Sequence, residues 1–240
     1  MSFFNKGLIM FKQCFLLIFF LFVLYAEEPL PQMVDYSILR PSCDSKSVTW
    51  KTGQLAFNCA PEIGTFLTYL KKEYNIHTAV ETGTFIGNTT VFLSLLFDDV
   101  YTIEIVEKTY QKTAKKLKAY PNVKCFLGSS EVILTKILPN IKGKRTLFYL
   151  DAHWDDHWPL REELLEISKT HHNNCVIVID DFKVPGRKDI PYDKYKKDEC
   201  SFEYIKDQLK LVFSECDIHY IIPTNLNSRA KFVALPKNWN

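Results

Sequence analysis

From residue 60 onward the apolar positions switch repeatedly between two spacings. "PEIGTFLTYLKKEY" puts Ile63, Phe66, Leu67 and Leu70 on one helical face. "HTAV" reads as a short buried strand, and it runs into "ETGTFIGNTT" before helical spacing returns in "TVFLSLLF". The pair then recurs. Strand "VYTIEIV" is followed by helix "KTYQKTAKKLKAY", which stops before Pro121. Strand "VKCFLG" leads to helix "SEVILTKIL", and strand "TLFYLD" to helix "PLREELLEISKTHH", where Pro159 suits the first turn. After strand "CVIVIDDF" comes a loop rich in Pro, Gly and Lys, then the helix "SFEYIKDQLKLVF". Two strands, "IHYIIP" and "KFVALP", follow, joined by "TNLNSRA".

Strand–helix alternation over ~150 residues predicts a parallel sheet covered on both faces. The link between the last two strands is too short for a helical crossover, so that pair must be antiparallel. The expected fold is therefore α/β: a doubly wound, mostly parallel seven-stranded sheet with a C-terminal antiparallel hairpin. At 240 residues the chain suits one well-buried domain, placed at 60–240, with 27–59 as an N-terminal extension.

Residues 1–26 stand apart from this pattern. "MSFFNKGLIMFKQ" carries Lys6 and Lys12 and no acid, and "CFLLIFFLFVLYA" is an apolar run ending at Ala26. A basic start, a short apolar core and a small residue before "EEPLPQ" fit a signal peptide. The core is short against the ~20 residues that span a bilayer. An uncleaved anchor, with membrane association through residues 14–26, is the alternative. Lys on the near flank and Glu27 and Glu28 on the far flank leave the domain outside the cytosol, the cytosolic face being the less expected orientation. Without Cys14, six cysteines remain, an even number that permits disulfides in an exported chain. Cys43–Cys59 and Cys200–Cys216 are the candidate pairs; Cys125 and Cys175 fall in apolar runs and read as buried thiols. Net charge is only +2, so nothing marks a nucleic-acid partner.

In an open parallel sheet ligands gather beyond the carboxyl ends of the strands. Most of those ends are polar here. "ETGTFIGNTT" offers Glu81, Gly83, Thr84 and Gly87 for a tight turn against a ligand, although a plain strand–helix turn needs the same glycines. Its Gly-x-x-x-Gly spacing is not the dinucleotide Gly-x-Gly-x-x-Gly, which weighs against an NAD or nucleotide-sugar enzyme. Glu104, inside an apolar run, can accept ribose hydroxyls. Ser129 and Ser130 either line a base pocket or cap a helix. Asp151, Asp180 and Asp181 end two neighbouring strands, an all-oxygen set suited to Mg²⁺ unless Asp181 merely caps or points to solvent. His153 and His157 have zinc-motif spacing but fall on a loop, and no Glu adjoins His153, so a helical zinc hydrolase is disfavoured.

In this order the segments resemble class I S-adenosylmethionine-dependent methyltransferases, and more closely the metal-dependent O-methyltransferases of the catechol type, over roughly residues 60–240. The resemblance implies that "ETGTFIGNTT" binds the methionine end of the cofactor, with Glu104 on the ribose and "GSSE" beside the adenine. It implies Asp151, Asp180 and Asp181 as ligands of a divalent metal such as Mg²⁺, His153 and Asp151 against the cofactor, and Trp154 and Pro185 at the acceptor pocket. Trp158 and Phe182 could add to an aromatic wall. The chain departs from the family in three places. "LDAHW" has one residue more between Asp and His, Asp155 replaces the family's lysine base, and Asp181 stands where the catechol enzymes have Asn, adding charge but keeping an oxygen ligand. Asp155, His157 and Lys183 are thus the candidates for removing the proton. The expected function is metal-assisted O-methylation of a small hydroxylated, aromatic or sugar acceptor. Because the leader would carry the domain away from the cytosol, where that cofactor is made, a non-catalytic exported binding protein of the same shape is the competing class.

Overall fold

The computed structural model describes residues 55–154, 158–224, 229–237 and 239. The leader, Cys43, Asp155 and His157 therefore lie outside the described residues. Helices α1 (Pro61–Glu73), α2 (Asn88–Leu96), α3 (Glu107–Leu117), α4 (Ser130–Ile137), α5 (Leu160–His171) and α6 (Phe202–Val212) alternate with the strands. These are β1 (Thr78–Thr82), β2 (Asp99–Glu104), β3 (Val123–Leu127), β4 (Thr146–Leu150), β5 (Cys175–Ile179), β6 (Lys194–Tyr195), β7 (Asp198–Glu199), β8 (Cys216–Ile221) and β9 (Lys231–Pro236). The main sheet has seven strands in the order β3-β2-β1-β4-β5-β9-β8. All its neighbours are parallel except β5–β9 and β8–β9. The expected doubly wound sheet with a terminal antiparallel hairpin is what forms.

Side-chain alternation divides the core between the two faces of the sheet. Val80, Phe148 and Ile177 point to one face, where Leu134, Leu164 and Ile205 of α4, α5 and α6 meet them. Their neighbours Ala79, Leu147 and Val176 point to the other, against Ile63, Leu67, Phe92 and Leu93 of α1 and α2. Each fully buried aliphatic or aromatic side chain contributes roughly 1.5–3 kcal/mol. β1, β4 and β5 are buried along their whole length, as central parallel strands must be. The lysine-rich α3 buries only Thr113 and Leu117, so its charges form a solvated face. Upstream, a 3₁₀ turn at Ala56–Cys59 wedges Phe57 against Phe92 and Tyr149, with ring centroids 5.1 and 5.3 Å away. The core thus reaches into the segment before residue 60.

Two features were not visible in the pattern. The long loop after β5 folds a two-residue hairpin, β6 with β7, too short to show periodicity. The Cys200–Cys216 bridge does not exist, since both are free thiols. Cys200 donates its thiol to the Asp180 carbonyl at 3.6 Å, at the carboxyl end of β5. Cys216 pairs with Pro236 at the opposite end of β9, five residue pairs from Lys231. At ~3.4 Å per pair that is roughly 17 Å, far beyond disulfide reach. Cys59 is disulfide-bonded, its partner lying outside the described residues. Cys125 and Cys175 are free, the latter fully buried. Among the described residues no helix is long and apolar enough to cross a membrane.

Candidate active site

Parallel register brings the strand ends to one edge. Thr82 of β1 pairs with Ile103 of β2 and Leu150 of β4, and Leu150 pairs with Ile179 of β5. Strand order reverses between β1 and β4, so a crevice opens there. A cavity of about 550 Å³ occupies it, within the usual range for small-molecule sites. Gly83, Phe85, Glu104, Ser129 and Ser130 line one side; Asp151, His153, Trp154, Asp180 and Asp181 line the other.

The first side is built from close backbone contacts. Gly83 has φ +84° and faces the Asp151 carbonyl so closely that a Cβ would sit 2.5 Å from that oxygen. Asp151 in turn donates its N–H to the Thr82 carbonyl at 3.1 Å. The Glu104 carboxylate, mostly buried at the cavity wall, accepts from the Phe85 N–H at 2.8 Å and the Val106 N–H at 2.9 Å. It therefore clamps the β1–α2 loop to the end of β2 while still facing the cavity. Gly87 begins α2 in the left-handed region. Ser129 occupies the N-cap position of α4, where its hydroxyl donates to Glu131 instead of capping.

Glu81 and Thr84 do not line this cavity; they hold it from behind. Thr90 and Thr102 donate to Glu81 Oε2 at 2.5 and 2.6 Å, and Thr84 shares a 2.6 Å hydrogen bond with Thr102. Burial pushes the Glu81 carboxyl up to about 7 from an ordinary 4.5. Between those values the folded protein keeps a proton that the unfolded chain releases. Stability from this group is complete below about pH 4.5 and falls by about 3 kcal/mol as pH rises to 7. Glu163 on α5, also fully buried, is raised to about 7 and slopes the same way. Glu81→Gln is expected to flatten part of this decline, measured as urea midpoints on either side of the window. An unchanged slope would mean that Glu81 is ionised in the folded protein.

The second side is a cluster of charge. One oxygen each from Asp151, Asp180 and Asp181 lie within 4.8 Å of one another. Asp180 is fully engaged: Tyr149 donates its hydroxyl to Oδ2 at 2.5 Å, while Oδ1 accepts the Asp181 N–H at 2.6 Å and the Lys231 ammonium. Asp181 takes Arg229 Nη1 on Oδ2 at 2.8 Å and has Lys231 Nζ 3.9 Å from Oδ1. Arg229 also bridges to Asp193. The Asp151 carboxylate accepts no hydrogen bond from any described residue. Burial would raise Asp180, but Lys231 and the bonds from Asp181 and Tyr149 outweigh it and hold it below its ordinary range. Burial and the Asp180 charge push Asp181 up to about 6 and Asp151 well above the usual carboxylate range. Lys231 is the site residue that sequence reasoning missed. A lysine opening an apolar strand looks like a solvated lead-in. Yet β9 pairs antiparallel with β5 at Ile179–Phe232, so one step further Lys231 comes opposite Asp180.

The remaining sequence candidates scatter. Trp154 lines the cavity and is half-exposed, as an acceptor wall would be. His153 lies beside it, its ring 5.6 Å from Tyr195, and burial and Arg229 lower its pKa. Trp158 stacks on Tyr204 of α6 at 4.4 Å and meets Tyr195 at 5.0 Å, outside the main cavity. Phe182 is a core residue packed 4.6 Å from Phe232, so it forms no wall. Pro185 is exposed and Lys183 is tied to Glu199 at 2.5 Å, both away from the cavity. A hydrogen bond from Lys183 to that carboxylate raises its pKa, which argues against it as a base.

With this strand order and a cavity at the reversal point, the chain has the Rossmann-like fold of class I S-adenosylmethionine-dependent methyltransferases. No family sequence model matches it. Among solved structures it is similar to the O-methyltransferase TomG from Streptomyces achromogenes, in complex with S-adenosylmethionine. That match has a TM-score of 0.56 and 17% identity over 78% of this chain and 86% of that one. The O-methyltransferase from Bacillus cereus, bound to S-adenosylhomocysteine, gives 0.55 and 18%, covering 75% and 82%. The S-adenosylhomocysteine-bound methyltransferase PaMTH1 from Podospora anserina gives 0.52 and 15%, covering 79% and 86%.

Proposed function

We propose that this protein is an S-adenosylmethionine-dependent O-methyltransferase acting on a small hydroxylated acceptor. The observation that carries this is the continuous cavity from Gly83 and Glu104 to Asp151 at the strand-order reversal, on a fold shared with cofactor-bound O-methyltransferases. The cavity residues suit the cofactor. Gly83 leaves backbone exposed to a close ligand, and each Glu104 oxygen keeps a lone pair for a ribose hydroxyl. Bound there, S-adenosylmethionine would supply an electrophilic methyl group on a sulfonium.

The chain's own part is to orient and deprotonate the acceptor. Trp154 offers an aromatic face at the cavity mouth. An acceptor hydroxyl lying against it would hydrogen-bond to Asp151, the one carboxylate of the cluster without a donor among the described residues. As the acceptor oxygen attacks the methyl carbon in line, its proton passes to the ionised form of Asp151, whose raised pKa makes that form less populated but a stronger proton acceptor. The divalent cation expected at Asp151, Asp180 and Asp181 does not fit their surroundings. Both Asp180 oxygens already accept hydrogen bonds, and a buried ammonium already contacts Asp180 and lies 3.9 Å from Asp181.

Calorimetric titration of S-adenosylmethionine into the full-length protein tests the proposal. Micromolar binding is expected, weakened at least about tenfold by Glu104→Ala through loss of the ribose contact. A folded protein that takes up no cofactor would point to the non-catalytic binding class.

A further inference from the structure

We infer that Lys231 is a built-in cation of this site and that the acidic cluster works without a divalent metal. Lys231 has no exposed side-chain surface, although lysines are almost never fully buried unless paired. Its ammonium contacts Asp180 Oδ1, donates to the Arg229 carbonyl at 3.0 Å and lies 3.9 Å from Asp181 Oδ1. The strand that carries it is held in place: Phe232 and Ala230 on either side are themselves fully buried, and Phe182 donates its N–H to the Ala230 carbonyl at 2.9 Å.

A hard divalent ion needs oxygen ligands at close range in near-regular geometry. In this cluster it would have to share Asp180 with the immobilised ammonium, and two cations on one carboxylate oxygen repel. Arg229 adds a second fixed positive charge on Asp181 and Asp193, and Tyr149 takes the remaining Asp180 oxygen. Every group that would draw an ion in is thus already answered, except Asp151. The arrangement does by side chain what an ion would do by coordination: it keeps neighbouring carboxylates together beside the cavity. It also explains why Asp180 is locked while Asp151 is left open to a ligand.

The test is direct metal binding, read by the electron paramagnetic resonance of free Mn²⁺ and by thermal shift in MnCl₂ and MgCl₂. Full-length wild-type protein is expected to leave millimolar Mn²⁺ free, with no change of melting temperature relative to EDTA. Lys231→Met removes the charge while keeping much of the volume. It is expected to gain saturable Mn²⁺ binding, tighter than wild type by roughly tenfold or more, because three carboxylates then face one another with less compensation. A folded Lys231→Met protein without that gain would overturn the stand-in role. Saturable Mn²⁺ binding by the wild type, abolished by Asp151→Asn, would overturn the inference without any Lys231 variant having to fold. In addition, if the proposed activity holds, EDTA leaves methyl transfer unchanged. The metal readout needs neither cofactor nor acceptor, so its failure is distinguishable from failure of the methyltransferase proposal.

Discussion

Gly83→Ala is expected to cost about 3–5 kcal/mol of stability and to abolish cofactor binding. Two penalties coincide there. An alanine at φ +84° occupies the left-handed region, worth roughly 1–2 kcal/mol. Its methyl group would also lie 2.5 Å from the Asp151 carbonyl oxygen and 2.9 Å from its carbon. Those are backbone atoms at the end of a buried strand and cannot rotate away, so β1 and β4 must separate at the site. A urea titration reads the first effect and calorimetry with S-adenosylmethionine the second. Gly143→Ala is the matched control, since it has the same φ of +84° but nothing within 4 Å. A Gly83 variant no worse than that control would show that the strand ends are looser than this packing implies.

Asp151→Asn is expected to lower the rate of methyl transfer by about 10²–10⁴-fold, the usual worth of a positioned proton acceptor. Cofactor affinity should change far less, because Glu104 and the Gly83 turn remain. The substitution keeps shape and removes the negative charge and with it the ability to take a proton. Steady-state kinetics with a found acceptor, compared with cofactor titration, separates the two. Equal losses in rate and in cofactor binding would make Asp151 a binding residue and leave the proton with another group, His153 being nearest in sequence.

Element order was legible because each strand here is a short apolar run set against a helix of different period. Gly83, Glu104, Asp151 and Asp180 were legible for a related reason: each is a polar or small residue interrupting or ending such a run. What escaped depends on register or on turns. Lys231 gains its meaning only from facing Asp180 across an antiparallel pair, which no local pattern encodes. Phe182 follows Asp181, whose φ of 54° turns the chain and sends the ring inward. A reading that assumes steady alternation along the strand end puts that ring in the pocket. Glu81 looked like a ligand contact because it adjoins the glycine turn, but β1 is buried on both faces, and its hydroxyl partners come from α2 and β2.

The position of β9 has a consequence for how the protein acquires competence. In chain order it follows every other strand, yet in space it lies inside the sheet, between β5 and β8. Until it inserts, β5 is an open edge carrying Asp180 and Asp181 without Lys231 or Arg229. Half-assembled molecules would hold a knot of mutually repelling acids, and docking of the final hairpin relieves it. Folding to completion and arming of the site are then a single event, so a population trapped short of the end has no half-active form.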